Sequence, residues 1–194
     1  MSQHDGILEK AGKREKLENP RRVAELAPAA TLARLGLRDG QTLCDIGAGS
    51  GLFSLAAARI TSGAVWAADI DAELLAELDT RARAEGLANL HILPVSGCAY
   101  PIPDGSADWA LLVTVLHEIP ARHALLAELR RLLKPAGRAV LVEFHAGRTP
   151  MGPPPAHRLG APEAESLFTG AGFAKEQEFS LGENLYVQTY IRGE

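Results

Sequence analysis

One stretch leaves the chain few choices of fold: Thr42-Leu-Cys-Asp-Ile-Gly-Ala-Gly-Ser-Gly-Leu-Phe-Ser-Leu-Ala-Ala-Ala58. It opens on an apolar run of strand length, Thr42 to Ile46. It turns through Gly47, Gly49 and Gly51. It closes on 52–60, rich in alanine and leucine and therefore helix-favouring. A strand, a tight glycine turn and a helix are the first half of a βαβ unit. Glycine adopts backbone angles that other residues avoid, and it lets a ligand approach the main chain closely. The helix start is expected to turn free N–H groups toward that ligand.

The spacing of the glycines narrows the ligand. A dinucleotide fingerprint is G-x-G-x-x-G, with alanine allowed last. Counted from Gly47, that last position is Leu52. The pattern present is Asp45-x-Gly47-x-Gly49-x-Gly51. An acidic strand end followed by G-x-G-x-G resembles the first motif of class I methyltransferases, which use S-adenosylmethionine (SAM). The chemistry suits that resemblance. A dinucleotide presents a pyrophosphate that seeks a helix N-terminus. SAM has no phosphate, and its amino group and sulfonium accept a nearby carboxylate such as Asp45. The resemblance implies that Asp45, Gly47, Ala48, Gly49 and Gly51 bind SAM.

Alternation along the chain extends the unit. Asn19-Pro20 marks a helix start, and 21–35 reads as one helix with Val23, Leu26, Leu32 and Leu35 inward. After the glycine turn come a strand at 64–70, a helix over 72–85, a strand at 90–94 and a loop over 95–107. A nearly continuous apolar strand at 109–116 suits burial on both faces. A helix over 121–134, stopped by Pro135 and Gly137, leads to a strand at 138–144. Residues 146–160 hold four of the twelve prolines and read as an irregular crossing. A helix at 162–171 precedes an antiparallel pair, 175–180 and 184–192, turning near Gly182-Glu183. Such alternation predicts a parallel α/β sheet with helices on both faces. With the closing hairpin it resembles the Rossmann-like, seven-stranded class I methyltransferase fold. The whole of 1–194 reads as one methyltransferase domain, with 1–20 a charged arm, either solvated or a flap over the acceptor site.

Ligands of open α/β sheets bind beyond the carboxyl ends of the strands. Asp69 stands there, about 20 residues past Gly49. A carboxylate accepts one hydrogen bond from each hydroxyl of a cis-diol. The resemblance makes Asp69 the holder of the SAM ribose and puts Ile70 on the adenine. Asp71 is the alternative cap for the following helix. The segment 95–108 is similar to the family's third motif in its Pro-x-Pro-Asp-Gly-Ser-x-Asp half. It departs where the family has Asp-Ala and this chain has Ser96-Gly97. Ser96 is then either a weak acceptor for the adenine amino group or an ordinary loop serine. The Gly97 N–H remains able to serve a ring nitrogen.

His117 and His145 are the catalytic candidates, each after a core strand on the same edge. His117 either contacts and deprotonates an acceptor or bonds nearby backbone. His117-Glu118 is not an H-E-x-x-H zinc site, because position 121 is alanine and Pro120 breaks the helix that motif needs. Glu143 and His145 face the same edge, while His157 and Arg158 read as solvated loop residues. No metal site is expected. Ser50 is not a nucleophile elbow, since Ala48 and Leu52 replace its glycines. A P-loop is absent. Pro153-Pro154-Pro155 is not the box of amino-group DNA methyltransferases, and the cysteines of arsenite methyltransferases are missing.

Composition sets the remaining bounds. A chain of 194 residues, 46% hydrophobic, can bury a full core. Its net charge of −4, without a basic stripe, argues against a nucleic-acid groove. Cys44 and Cys98 form neither a disulfide scaffold nor a zinc ribbon, and Cys44 is expected as a small buried hydrophobe. The polar opening gives no secretory signal, and no apolar run is long enough to span a bilayer. A cytoplasmic location is the expectation. The resemblance is closest to the small-molecule methyltransferases of the quinone-biosynthesis and type 11 groups. It implies in-line methyl transfer from SAM to a small-molecule acceptor. The alternative is a SAM-binding regulator or partner subunit without turnover.

Overall fold

The computed structural model describes residues 12–193. Seven strands form one sheet: β1 (Leu43–Ile46), β2 (Val65–Asp69), β3 (Leu90–Pro94), β4 (Ala107–Val113), β5 (Leu133–Phe144), β6 (Phe173–Leu181) and β7 (Leu185–Arg192). Their order is β3-β2-β1-β4-β5-β7-β6. The first five run parallel, and β7 is antiparallel to both β5 and β6. The order reverses between β1 and β4, so the cleft above their carboxyl ends is the switch point of the sheet.

Period-2 alternation divides the core between the two faces. Val140 and Val142 of β5 point to one side, onto Leu26, Leu32, Phe53, Leu55, Leu75 and Leu78. Those residues come from α2 (Pro20–Leu26), α3 (Pro28–Leu35), α4 (Leu52–Ile60) and α5 (Ala72–Ala84). Ala139 and Leu141 point to the other side, onto leucines of α6 (Arg122–Leu132) and Phe168 of α7 (Ala161–Gly170). Both faces of β1 are covered, so all four of its residues are buried and Cys44 is a core hydrophobe as read.

Three local expectations change. The single helix over 21–35 is two helices. Pro28 cannot donate to the ladder, and Ala27 takes a left-handed φ of 37° that lets its N–H bond the Val23 carbonyl. The Asn19 cap is present, its side chain accepting from the Arg21 N–H at 3.0 Å. Strand β4 ends at Val113, and Leu116–Glu118 is a 3-10 turn instead of further strand. Thr114 at the break has a φ of 54°, and the 3-10 turn carries His117 sideways toward β5. Finally, β5 begins at Leu133 instead of Arg138. Pro135 and Gly137 interrupt its register but do not keep it from pairing with Ala107 of β4.

The charged arm divides at the edge of the described residues. Residues 1–11 of it lie outside them. Residues 12–17 are helical, α1, and the Leu17 side chain lies over Gly49. Lys13 pairs with Asp71 at 3.3 Å, Arg14 with Glu77 at 3.1 Å, and Glu18 with Arg81 at 2.8 Å. Arg81 also donates to the Ser50 carbonyl of the glycine turn at 3.0 Å, linking the arm to the loop beneath it. Among the described residues no helix is long and apolar enough to cross a membrane.

Candidate active site

The glycine turn lies between β1 and α4, and its three glycines have different tasks. All have positive φ: 73° at Gly47, 55° at Gly49 and 80° at Gly51. A Cβ at Gly47 would sit 2.5 Å from Val115, and one at Gly51 would sit 2.2 Å from Leu78. Those two glycines are therefore required by packing under the loop. At Gly49 an added Cβ would instead meet the Leu17 side chain, at 3.2 Å, on the cleft side of the turn. Gly49 is thus the position of the three at which the missing side chain leaves room on the cleft side of the turn.

The turn's N–H groups are also less free than the sequence suggests. Gly47 and Ala48 donate to the Ala68 carbonyl, and Gly51 donates to Ala48. Gly49 donates to Asp69 Oδ2 at 2.7 Å. Asp69 Oδ1 accepts from the Asp71 N–H at 2.8 Å. Asp69 therefore braces the turn, and each of its oxygens, having accepted one hydrogen bond, keeps further acceptor capacity. Asp71 is the cap of α5, accepting from the Glu73 and Leu74 N–H groups. Ile70 beside it is 78% exposed, the one large hydrophobic side chain among the described residues left so open. Ser96 and Gly97 follow β3 on the same edge, both exposed, with Gly97 at a φ of 86°.

Asp45, the next-to-last residue of β1, is almost fully buried, at 3% exposure. Its Oδ2 accepts from the Ser54 hydroxyl at 2.5 Å. Burial pushes its carboxyl up to about 6. The Ser54 hydrogen bonds pull against that shift, and the Asp69 charge adds to it. Beside Asp45 is a small cavity of about 40 Å³, walled by the glycine turn, Val113, Leu17 and Arg22.

His117 has a partner that reading along the chain does not pair it with. Glu143, 0% exposed, points at it from β5. His117 Nδ1 lies 2.8 Å from Glu143 Oε2 and 3.0 Å from Oε1, and the His117 backbone N–H donates to Oε1 at 3.1 Å. A carboxylate is acceptor-only, so Nδ1 carries the hydrogen and Nε2 is left as the basic nitrogen. Burial pulls the imidazole down. The Glu143 hydrogen bond and charge, with the Glu118 charge, outweigh that effect and raise it above its ordinary value. The ring packs edge-on to Phe144, centroids 6.2 Å apart.

His145 does not join this pair. Its ring lies 5.8 Å from that of Tyr186, on β7. His157 is exposed. Arg158 is not a solvated loop residue. It donates to the carbonyls of His145, Gly147, Met151 and Pro153 and to Thr149 Oγ1, clamping the proline-rich crossing. A single guanidinium supplies enough N–H donors to hold such a loop without regular structure.

Sequence reasoning noted Glu143 but not its contact, and it passed over Arg22 and Thr114. The signal for Glu143 was a carboxylate ending the otherwise apolar run Ala139–Phe144, where burial demands a partner. No comparable signal marks Arg22 within its helix.

Residues 44–141 match the family described as Methyltransferase domain, type 11. That span holds Asp45, the glycine turn, Asp69, Ser96 and His117, and it stops short of Glu143. The chain is similar to the ubiquinone/menaquinone biosynthesis C-methyltransferase UbiE of Bordetella avium. The two are 33% identical over 130 residues, which are 64% of this chain and 49% of that protein. The chain spans about half the length of the curated relatives it matches. Two solved structures share the fold. One is a SAM-dependent methyltransferase from Aquifex aeolicus, with a TM-score of 0.87 at 24% identity, covering 93% of this chain and 97% of that one. The other is phosphoethanolamine N-methyltransferase 2 of Haemonchus contortus in complex with SAM, with a TM-score of 0.72 at 16% identity, covering 87% and 52%. The residues present suit that cofactor: a cleft-facing Gly49, a braced carboxylate at Asp69 and an exposed apolar side chain next to it. With half of its length matched to the family, the chain belongs to the type 11 methyltransferase-domain proteins, among the class I SAM-dependent methyltransferases.

Proposed function

We propose that the chain catalyses methyl transfer from SAM to a small-molecule acceptor whose attacking atom carries an acidic proton, with His117 as the base. The observation that carries this reading is the His117–Glu143 pair beside the switch point of the sheet. When bound, SAM supplies a methyl group on a good leaving group. The protein's own residues then have three tasks.

Asp69 and Gly49 hold the ribose end at the β1–β2 edge. Ile70, with Ser96 and Gly97, receives the adenine. His117 Nε2 removes the proton of the acceptor while Glu143 holds the ring and stabilises the imidazolium that forms. Positioning of acceptor against methyl supplies much of the remaining acceleration. The C-methyltransferase naming of the similar curated proteins supports a carbon acceptor, whose C–H proton must leave. A general base has more to do for such an acceptor than for a thiolate or a neutral amine.

A screen with methyl-labelled SAM against phenols, hydroquinones, amines and thiols tests the reading. Label transfer to an acidic hydroxyl or carbon acceptor, lost in His117→Ala, is the expected result. Transfer only to thiols or amines, unaffected by that substitution, removes the base from the account. Tight SAM binding with no transfer to any of these would favour a regulatory role instead.

A further inference from the structure

His117 stands between two carboxylates that differ in burial. Glu143 holds Nδ1 and is fully buried. Glu118, the next residue of the 3-10 turn, has its Oε1 3.8 Å from Nε2; its side chain is 72% exposed, against 7% for that of His117. Glu118 is thus the ionisable group that adjoins both the basic nitrogen and the solvent. The turn that carries the two residues is fixed on both sides. Arg22 of α2 donates to Thr114 Oγ1 at 2.9 Å, Leu116 is fully buried, and Arg122 of α6 donates to the Leu116 carbonyl at 3.3 Å. Arg122 spends its charge on Glu163, at 3.0 Å, and among the described residues no lysine or arginine pairs with Glu118. The charged groups that face the imidazole are therefore Glu143 from β5, Glu118 from the turn and Arg122 from α6. Burial lowers the imidazole, Glu143 and Glu118 raise it, and Arg122 lowers it; the net shift is upward. A base that holds its proton more firmly, with little of its own surface in water, needs a way to shed that proton before it can act again. Glu143 offers none, being buried and on the other nitrogen.

We propose that Glu118 carries the acceptor's proton from His117 Nε2 to solvent. The inference rests on the reading of His117 as the base. As the attacking atom of the acceptor takes the methyl group, its proton passes to Nε2, and the Nδ1 hydrogen stays on Glu143. Rotation about the exposed Glu118 side chain then closes the 3.8 Å to hydrogen-bond length. The Nε2–H bond breaks, an O–H bond forms at Oε1, and the carboxyl gives the proton to water. His117 ends neutral and Glu118 ionised, as both began. A carboxylate is ordinarily a weaker base than imidazole by about 2 pKa units, so the proton passes over it and does not stay. Acceptor and Glu118 use the same nitrogen in turn, the acceptor before the proton moves and Glu118 after. Glu118 acts through His117 and not on the acceptor.

The first arm of the test needs no acceptor. Exchange of the His117 Nε2 hydrogen with water is followed by nuclear magnetic resonance on the full chain with nitrogen-labelled histidine, below the imidazole midpoint. In Glu118→Gln it should slow by about tenfold, less than the 10²–10⁴ that a general base itself contributes. Glu118→Asp should retain part of the rate. The second arm uses the acceptor found with labelled SAM. There kcat of Glu118→Gln should fall by a similar factor at unchanged KM. Added imidazole buffer should restore it, while the original chain ignores the buffer. A Glu118 that acts by charge alone would predict otherwise. Its loss would lower the His117 midpoint, make the imidazolium the stronger acid and leave exchange as fast or faster, and that result would overturn the proposal. Turnover of Glu118→Gln that is lost but indifferent to buffer would overturn it as well. Failure of the methyl-transfer reading looks different: exchange would still depend on Glu118 while no acceptor takes the label.

Discussion

The two halves of the cleft are built in opposite ways. On the β1–β2 side the parts assigned to the cofactor come from adjacent strand ends and the turn between β1 and α4. Gly49 and Asp69 meet through one hydrogen bond, and Ile70 is the next residue along. On the β4–β5 side His117 and Glu143 are brought together by strand pairing and a 3-10 turn, across 26 residues. The first half is a local motif whose spacing states its chemistry. The second is a tertiary contact that depends on β4 ending where Thr114 turns aside. One consequence is that the cofactor and proton-handling functions should be separable by mutation.

The largest effects should come from the glycine turn. Gly49→Val places a β-branched side chain at a positive φ in the cleft, and it should abolish S-adenosylhomocysteine binding in calorimetry while the far-ultraviolet spectrum stays native. Gly51→Val should fail differently. Its side chain would meet Leu78 in the core, so folding itself should be lost, seen as a collapsed thermal transition. A folded Gly51→Val protein that has merely lost affinity would break the distinction between the two glycines.

Next come the two residues of the other half. His117→Ala should lower turnover by about 10²–10⁴-fold, the usual contribution of general base catalysis. Glu143→Gln should lower it less and move the acid limb of the pH–rate profile. The base form of His117 accumulates only above its raised pKa, so the limb in the unaltered protein should lie above pH ~6.5. Glu143 is the main group that raises it, so the limb should shift downward in the glutamine variant. A limb that does not move would mean that the pair does not set the rate.

A further effect is on stability and belongs to Asp45. Its carboxyl is raised to about 6 in the folded chain, above the ~3.9 of an unfolded one. Stability present below pH ~3.9 is therefore lost as pH rises through about 6. Asp45→Asn does not titrate. It should gain stability over the original chain between those values, reaching on the order of 3 kcal/mol at neutral pH. Urea melts of both proteins at pH 4.5 and 7.5 measure the difference. An equal gap at the two pH values would show that burial of Asp45 carries no charge penalty.

The sequence is informative in proportion to how local each feature is. Strand, turn and helix around Gly49 are dictated by adjacent residues, and they are legible. The doubly wound sheet and closing hairpin follow from alternation, with Gly182 at the turn. The split at Ala27 was missed although Pro28 announces it, because Ala29–Leu35 continues the helical pattern. The start of β5 at Leu133 was missed because Pro135 and Gly137 read as a stop, whereas sheet pairing overrides them. Glu143 and Arg22 acquire meaning only from what lies opposite, His117 in one case and Thr114 in the other. No periodicity encodes that.

The separation of the two halves is tested most directly by titrating S-adenosylhomocysteine into the original chain, Asp69→Ala and His117→Ala under one set of conditions. Asp69→Ala should bind about ten- to a hundredfold more weakly, since a hydrogen bond to a charged group contributes roughly 1.5–3 kcal/mol. Asp69→Asn, which keeps one acceptor oxygen, should lose less. His117→Ala should bind as the original chain does. Loss of binding in His117→Ala, or unchanged affinity in Asp69→Ala, would contradict the assignment of the cofactor to the β1–β2 edge and of the proton to the β4–β5 edge.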